Sequence, residues 1–375
     1  MRRPIYLDYQ ATTPLAPEAR DAMLPLLDAA FGNPHSPHRM GREAKAAVEL
    51  ARDWIAAPFG PGGRLLFTSG ATEALNWAIK GIAETAGAAR PRIVTTAIEH
   101  AAVLDTVGWL AGRGHDVVVL PVGRDGIVDL DAARAAIDGR TALVVAMLVN
   151  NEIGTIQPVA ELGALARAAG AVMLCDAVQG FGRIPLPVEA CDLIAISAHK
   201  IHGPKGIGAL WLRDGVTPAP LMHGGGQEGG LRSGTLAPAL CAGFGVAAAL
   251  AGERIAADAA HVERLWRRAL AGLGDGWTLN GSAERRWRGN LNVRREGLDV
   301  GRLMSELRDV AFSAGSACAS GSGRTSHVLT AIGLSGAEAR SSIRLGFGRY
   351  TTVEEIDEAS AMIREAAARQ AMLAA

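Results

Sequence analysis

The sequence predicts an α/β protein: a large domain built on a mostly parallel, seven-stranded sheet with helices on both faces, plus a smaller α+β domain. Three observations predict it. Between Arg64 and Arg213 short β-branched runs alternate with amphipathic stretches, the pattern of a parallel sheet covered on both sides. A glycine-rich run, Gly224–Gly230, interrupts that pattern, and beyond a long alanine-rich stretch at about Pro238–Leu273 the chain changes character. The strand candidates are Leu65–Thr68, Ile93–Thr96, Val117–Leu120, Leu143–Val149, Val172–Cys175, Leu193–Ser197 and Ala209–Leu212. Amphipathic stretches such as Glu73–Glu84, Ala101–Ala111 and Ala160–Ala169 supply the helices between the first five. The last three strands follow one another too closely for helices, so a turn-rich stretch is expected to finish the sheet. The expected domains are residues 14–252 and 253–375, with residues 1–13 packed on the second. No low-complexity linker separates them, which points to an interface rather than a tether.

Composition excludes several classes. The 375 residues carry 38 basic and 38 acidic side chains with no block of like charge, so neither a nucleic-acid groove nor an acidic-lipid surface is indicated. The N-terminal apolar run is too short for a signal peptide, and no later stretch reads as long and uncharged enough to span a bilayer, so a cytoplasmic protein is expected. Four cysteines without a CxxC pair fit neither a disulfide framework nor a zinc ribbon, and no metal site is read. Lysine is scarce: Lys45, Lys80, Lys200 and Lys205 are the only ones among the 38 basic residues. A lysine kept in so arginine-rich a chain suggests a task that guanidinium cannot perform, such as Schiff-base formation.

Three pieces of sequence then combine. Ser69-Gly70-Ala71-Thr72-Glu73 follows a strand and opens a helix, where free N–H groups and a hydroxyl can cradle a phosphate; alone it reads equally well as a plain turn with Thr72 as N-cap. Asp176 ends the run Val172–Cys175, with Gln179 three residues on; alone it could be a helix cap. The next strand runs into Ser197-Ala198-His199-Lys200 and a glycine–proline turn. Together they supply a phosphate anchor, a carboxylate for a pyridine nitrogen and an amine, which is what pyridoxal phosphate requires.

At this point the chain resembles the aminotransferase class V group of fold-type I pyridoxal-phosphate enzymes, and within it the cysteine desulfurases of the NifS/IscS-like group. The resemblance runs through Leu7–Pro14, Phe67–Glu73, Val149–Gly154, His199-Lys200 with Gly203–Gly206, Arg232–Thr235 and Ser341–Arg344. It implies that Lys200 binds pyridoxal phosphate covalently, that Asp176 meets the ring nitrogen and Gln179 the ring hydroxyl, and that His100 stacks on the ring and handles protons. It implies a phosphate held by Ala71, Thr72, Ser197 and His199, with Thr235 reaching in from the other subunit of a homodimer. Asn151 and Arg344 match the binders of the substrate carboxylate. Without the resemblance, His100 reads as a helix-start residue and Arg344 as a surface ion pair. Lys205 reads as a structural or phosphate-side charge. Two departures stand out: Leu148 where many relatives carry histidine, and His202 where an aromatic is common.

Cys175, Cys191 and Cys241 sit among apolar neighbours and read as core residues. Cys318 lies in the glycine- and serine-rich stretch Ser313–Gly323, too poor in apolar bulk for a core. In the resembled group a cysteine in such a signature accepts sulfur from L-cysteine as a persulfide, leaving L-alanine, and hands it to an iron–sulfur scaffold or a thiolation protein. An aminotransferase or a selenocysteine lyase is the alternative on the same fold, and transamination needs no thiol. A non-enzymatic interaction module would be expected to have lost Lys200 or Asp176.

Overall fold

The computed structural model describes residues 3–315 and 325–374. The chain opens with β1 (Ile5–Tyr6), then α1 (Pro17–Leu27) and α2 (Arg39–Ala56). The central sheet follows as β2 (Gly63–Thr68), α3 (Ala71–Ala86), β3 (Arg92–Thr96), α4 (Ala101–Ala111), β4 (Asp116–Leu120), α5 (Leu130–Ala136), β5 (Thr141–Met147), α6 (Val159–Ala168), β6 (Val172–Asp176), β7 (Leu193–Ser197) and β8 (Gly208–Arg213). Each of the seven expected strands is present. Their spatial order is β2-β8-β7-β6-β5-β3-β4, all parallel except β8, which runs antiparallel between β7 and β2. Thr72 is not an N-cap: Gly70 holds that position and the helix begins at Ala71.

Period-two alternation explains the layers. Along β5, Val144 and Ala146 join one apolar cluster while Leu143 and Val145 join another, and β6 divides likewise between Met173 and Leu174. Helices α3 and α4 cover one face; α2, α6 and the first half of α7 (Pro238–Leu273) cover the other. Burying a valine or leucine in this way stabilises the sheet by about 1.5–3 kcal/mol.

Against the expectation from sequence, α7 is long and apolar enough to cross a membrane by length and composition alone. Its hydropathy comes from alanine and glycine, which let neighbouring helices approach closely. A Cβ on Gly243 would meet Met23 of α1 at 2.6 Å, and one on Gly245 would meet Ala51 of α2 at 2.7 Å. Phe244 and Ala247 are fully buried there.

The second half of α7 packs on a separate cluster with β9 (Thr278–Leu279), β10 (Asn290–Arg294), α8 (Val300–Glu306), β11 (Val310–Ala311), β12 (Ser313–Ala314), β13 (Ser342–Gly346) and α11 (Val353–Ala374), while α9 (His327–Ala331) and α10 (Gly336–Arg340) pack with Ile98 and Ile153 in a smaller one. The sheet here is antiparallel, in the order β12-β13-β10-β9. β1 pairs with β11, and Ile5 and Leu7 join this cluster.

Candidate active site

The carboxyl ends of the parallel strands converge on one cavity of about 650 Å³. Ala71, Thr72, His100, Asn151, Asp176, Gln179, Ser197, His199, Lys200 and Arg344 all line it. Two expected residues do not. Thr235 is exposed and does not line the cavity of its own chain, and Cys318 lies outside the described residues.

Lys200 ends a short 3-10 turn after β7, which aims its side chain over the sheet. Its amine donates to the carbonyl oxygens of Gln10 at 2.6 Å and Ala11 at 2.7 Å. Burial, followed by the nearby charges of Arg183 and Arg344, lowers its pKa to about 7, with Asp8 and Asp176 opposing in part. Asp176 ends β6, and its carboxylate accepts the Val178 N–H at 3.0 Å. Burial raises its pKa. His100 is at once the N-cap of α4 and a wall of the cavity: Nδ1 accepts the Ala102 N–H at 3.1 Å, which leaves the ring proton on Nε2, and burial lowers its pKa.

Nothing in the sequence signals how far the N-terminal segment enters the site. Besides the Lys200 contacts, the Gln10 carbonyl accepts the Gln179 amide at 3.0 Å, and Thr12 Oγ1 meets His199 Nδ1 at 3.1 Å. Thr13 donates both its N–H, at 2.9 Å, and its hydroxyl, at 3.0 Å, to the His199 carbonyl. Arg183 is a second residue that sequence reasoning misses. It bonds Gln179 Oε1, donates to the Lys200 carbonyl at 2.6 Å and lies 4.3 Å above the Trp287 ring. Burial lowers its pKa to about 9, and its guanidinium fixes the orientation of the Gln179 amide.

The departures have structural sense. His202 adopts φ of 69°, with burial lowering its pKa to about 4, and packs edge-on against Tyr350 at 4.9 Å and Tyr9 at 5.9 Å, so the neutral imidazole serves as an aromatic. Leu148 is buried against Gly180, where a Cβ would meet its side chain at 2.6 Å. Cys175, Cys191 and Cys241 are free and buried. A bond with Cys191 and burial hold the Cys175 thiol protonated, and burial pushes Cys241 up to about 12.

A buried amine of lowered pKa, a buried carboxylate and an imidazole around one cavity at the strand ends define an enzyme with lysine-centred chemistry. The chain belongs to the aminotransferase class V family, whose model matches residues 5–359. It is 46% identical over 369 residues, 96% of this chain and 90% of the relative, to cysteine desulfurase IscS of Rickettsia bellii (strain OSU 85-389). It is 45% identical over 365 residues to cysteine desulfurase IscS of Rickettsia prowazekii (strain Madrid E), 95% of this chain and 89% of the relative. A solved NifS-like protein superposes with a TM-score of 0.91 at 35% identity, covering 98% of this chain and 100% of the other. SspA in complex with cysteine superposes with a TM-score of 0.83 at 35% identity, over 92% and 99% of the two chains.

Proposed function

We propose that this enzyme is a pyridoxal-phosphate-dependent cysteine desulfurase that converts L-cysteine to L-alanine and takes the sulfur on Cys318 as a persulfide. The observation that carries the reading is the cavity in which Lys200, Asp176, His100 and Arg344 meet. The residues present fit the cofactor. Asp176 is a buried carboxylate whose one bond among the described residues is to a backbone N–H, so a protonated ring nitrogen would give it the counter-charge that burial withholds. The lowered pKa of Lys200 gives it a neutral amine near pH 7, the form that attaches to a carbonyl. Ala71 and Thr72 open α3 with free N–H groups toward the same cavity as Ser197, His199 and Lys205, which suits a phosphate. Gln179 keeps one amide hydrogen for a ring hydroxyl.

When bound, pyridoxal phosphate supplies the electron sink for the substrate carbons. Asp176 holds the ring-nitrogen proton. Lys200 and His100, the latter through Nε2, hold and move protons beside the substrate. Arg344 and Asn151 orient its carboxylate. The Cys318 thiolate attacks the substrate sulfur: the C–S bond breaks, an S–S bond forms, and a proton reaches the carbon that becomes the alanine methyl group.

We further infer two domains, 14–252 and 253–375 with 1–13, supported by the separate apolar clusters on the two halves of α7. A homodimer is supported by the exposure of Thr235, which leaves its hydroxyl available to a neighbouring subunit. Free buried thiols and a persulfide carrier suit a reducing compartment, so we assign the protein to the cytoplasm, with an iron–sulfur scaffold or thiolation protein as acceptor. The test is to incubate purified protein with L-cysteine and a reductant. Alanine and sulfide should appear in equal amounts without a keto acid; transfer of the amino group that depends on a keto acid would sink the reading.

A further inference from the structure

Arg344 lies in β13 with 1% exposure, its side chain reaching the cavity. Nη2 donates to Asp8 Oδ1 at 2.7 Å and to the Ser313 hydroxyl at 3.2 Å; Nη1 donates to the Asn151 carbonyl at 3.0 Å. The Nε–H is buried without a partner among the described residues. A guanidinium offers a carboxylate two forks, Nε with Nη2 or Nη1 with Nη2, and each needs a hydrogen on Nη2. Both Nη2 hydrogens are engaged. A ligand carboxylate that binds through a fork must therefore take Nη2 from Asp8 or Ser313.

We propose that Asp8 is a built-in competitor for Arg344, displaced by the substrate carboxylate, and that it thereby sets the affinity of the site for amino acids. The orphaned Nε–H is the half of the side-on fork that Asp8 leaves unused. Asp8 is the only carboxylate in ion-pair contact with Arg344 among the described residues. Its side chain is 20% exposed, so it reaches water when released, whereas Arg344 stays buried and must be paired. The Ser313 hydroxyl also donates to Asp8 Oδ1, at 2.9 Å, and so holds the competing carboxylate in place beside Nη2. The main chain around Asp8 is fixed by the Gly346 N–H, which donates to the Leu7 carbonyl at 2.7 Å, so the exchange is a movement of one side chain. Ser313 opens β12, and Asp8 belongs to the segment that carries the Lys200 contacts; neither reads as a substrate residue from sequence.

The inference rests on the desulfurase reading for the identity of the carboxylate. Holoenzyme is titrated with L-alanine, which has the carboxylate but no thiol, and with cysteamine, which has the thiol but no carboxylate, following the visible absorption. Removing a charged competitor should let D8N bind L-alanine about tenfold more tightly, with the gain in cysteine turnover falling on KM and not on kcat, and with cysteamine unaffected. S313A should move the same way by about threefold, and D8E should restore the parent behaviour. Unchanged or weaker L-alanine binding by D8N, or an equal shift for cysteamine, overturns the inference; should D8N not fold, unchanged L-alanine binding by S313A overturns it. If the expected shifts appear but cysteine yields no alanine, the desulfurase reading fails and the competition at Arg344 stands.

Discussion

Arg232 grips Glu73 through two hydrogen bonds, at 2.7 and 3.1 Å, and the same carboxylate accepts the Ser69 N–H at 2.8 Å. One acidic side chain thus ties the head of α3, the proposed phosphate cradle, to the segment that ends in Thr235. Both side chains of the pair are more than four-fifths buried.

Breaking that tie should loosen the cofactor. Glu73→Gln and Arg232→Met are each expected to weaken binding of pyridoxal phosphate to the apoprotein by about tenfold, and the double variant should be little worse than either single one. Fluorescence titration reads this. Burial alone would raise the Glu73 pKa, but the bonds from Arg232 and Ser69 outweigh it and hold the carboxyl below its ordinary 4.5. Its contribution to stability is therefore complete above pH 4.5 and is lost as pH falls through the lower folded value, a loss that Glu73→Gln should lack in acid unfolding curves.

Lys200 should carry the chromophore. Lys200→Ala is expected to lose the borohydride-reducible adduct, and an adduct found on another lysine would refute the assignment. In the apoprotein the amine should acylate with a midpoint near pH 7, far below ordinary lysines. Its pH slope has the same sign as that of Glu73, stability rising with pH, although here a cost is relieved where there a gain is lost. With the folded pKa lowered from 10.5 to about 7, burying the ammonium costs most below pH 7, and the cost is relieved as pH rises between those values.

Cys318→Ser should keep cofactor and cysteine binding yet abolish sulfur release, since a hydroxyl cannot store a persulfide. Cys175→Ser, Cys191→Ser and Cys241→Ser bury a hydroxyl and should each lose about 1–3 kcal/mol in denaturant unfolding while the folded fraction still turns over. Alanine formation by Cys318→Ser at the parent rate would contradict the proposed route.

Complementation tests the shared site. Mixed dimers of Lys200→Ala with Thr235→Ala should regain one intact site per dimer if Thr235 serves its neighbour, visible as activity absent from the Lys200→Ala parent and as tighter phosphate binding than in Thr235→Ala. A fully active monomer by sedimentation would exclude the arrangement.

The sheet was legible because its signals are local. Strands buried on both faces lack a polar–apolar alternation, yet a run such as Leu193–Ser197 is bounded by turn residues and sets its own limits, whereas Leu143–Val149 lies two residues late of the observed Thr141–Met147 because the apolar run continues past the strand end. Ala101–Ala111 emerged with its ends intact because His100 caps it. The antiparallel insertion of β8 beside β2 was not legible, since strand order is fixed by long-range packing. Within the site, Lys200 and Asp176 announced themselves through side-chain chemistry at strand ends. Gln10 and Ala11 did not, because they act through carbonyl oxygens that every residue possesses. Arg183 was hidden for a different reason: in a chain so rich in arginine, its identity carries little information.

The continuity of α7 limits how this protein can be dissected. A cut at residue 252 or 253 falls inside a helix of 36 residues, about 54 Å long, and would leave each fragment with a frayed end and a bare apolar stripe. Tagged inserts are better placed at the exposed turn around Gly274, where φ of 73° already ends the helix; separately expressed halves part α7 from one of its two clusters wherever the cut falls.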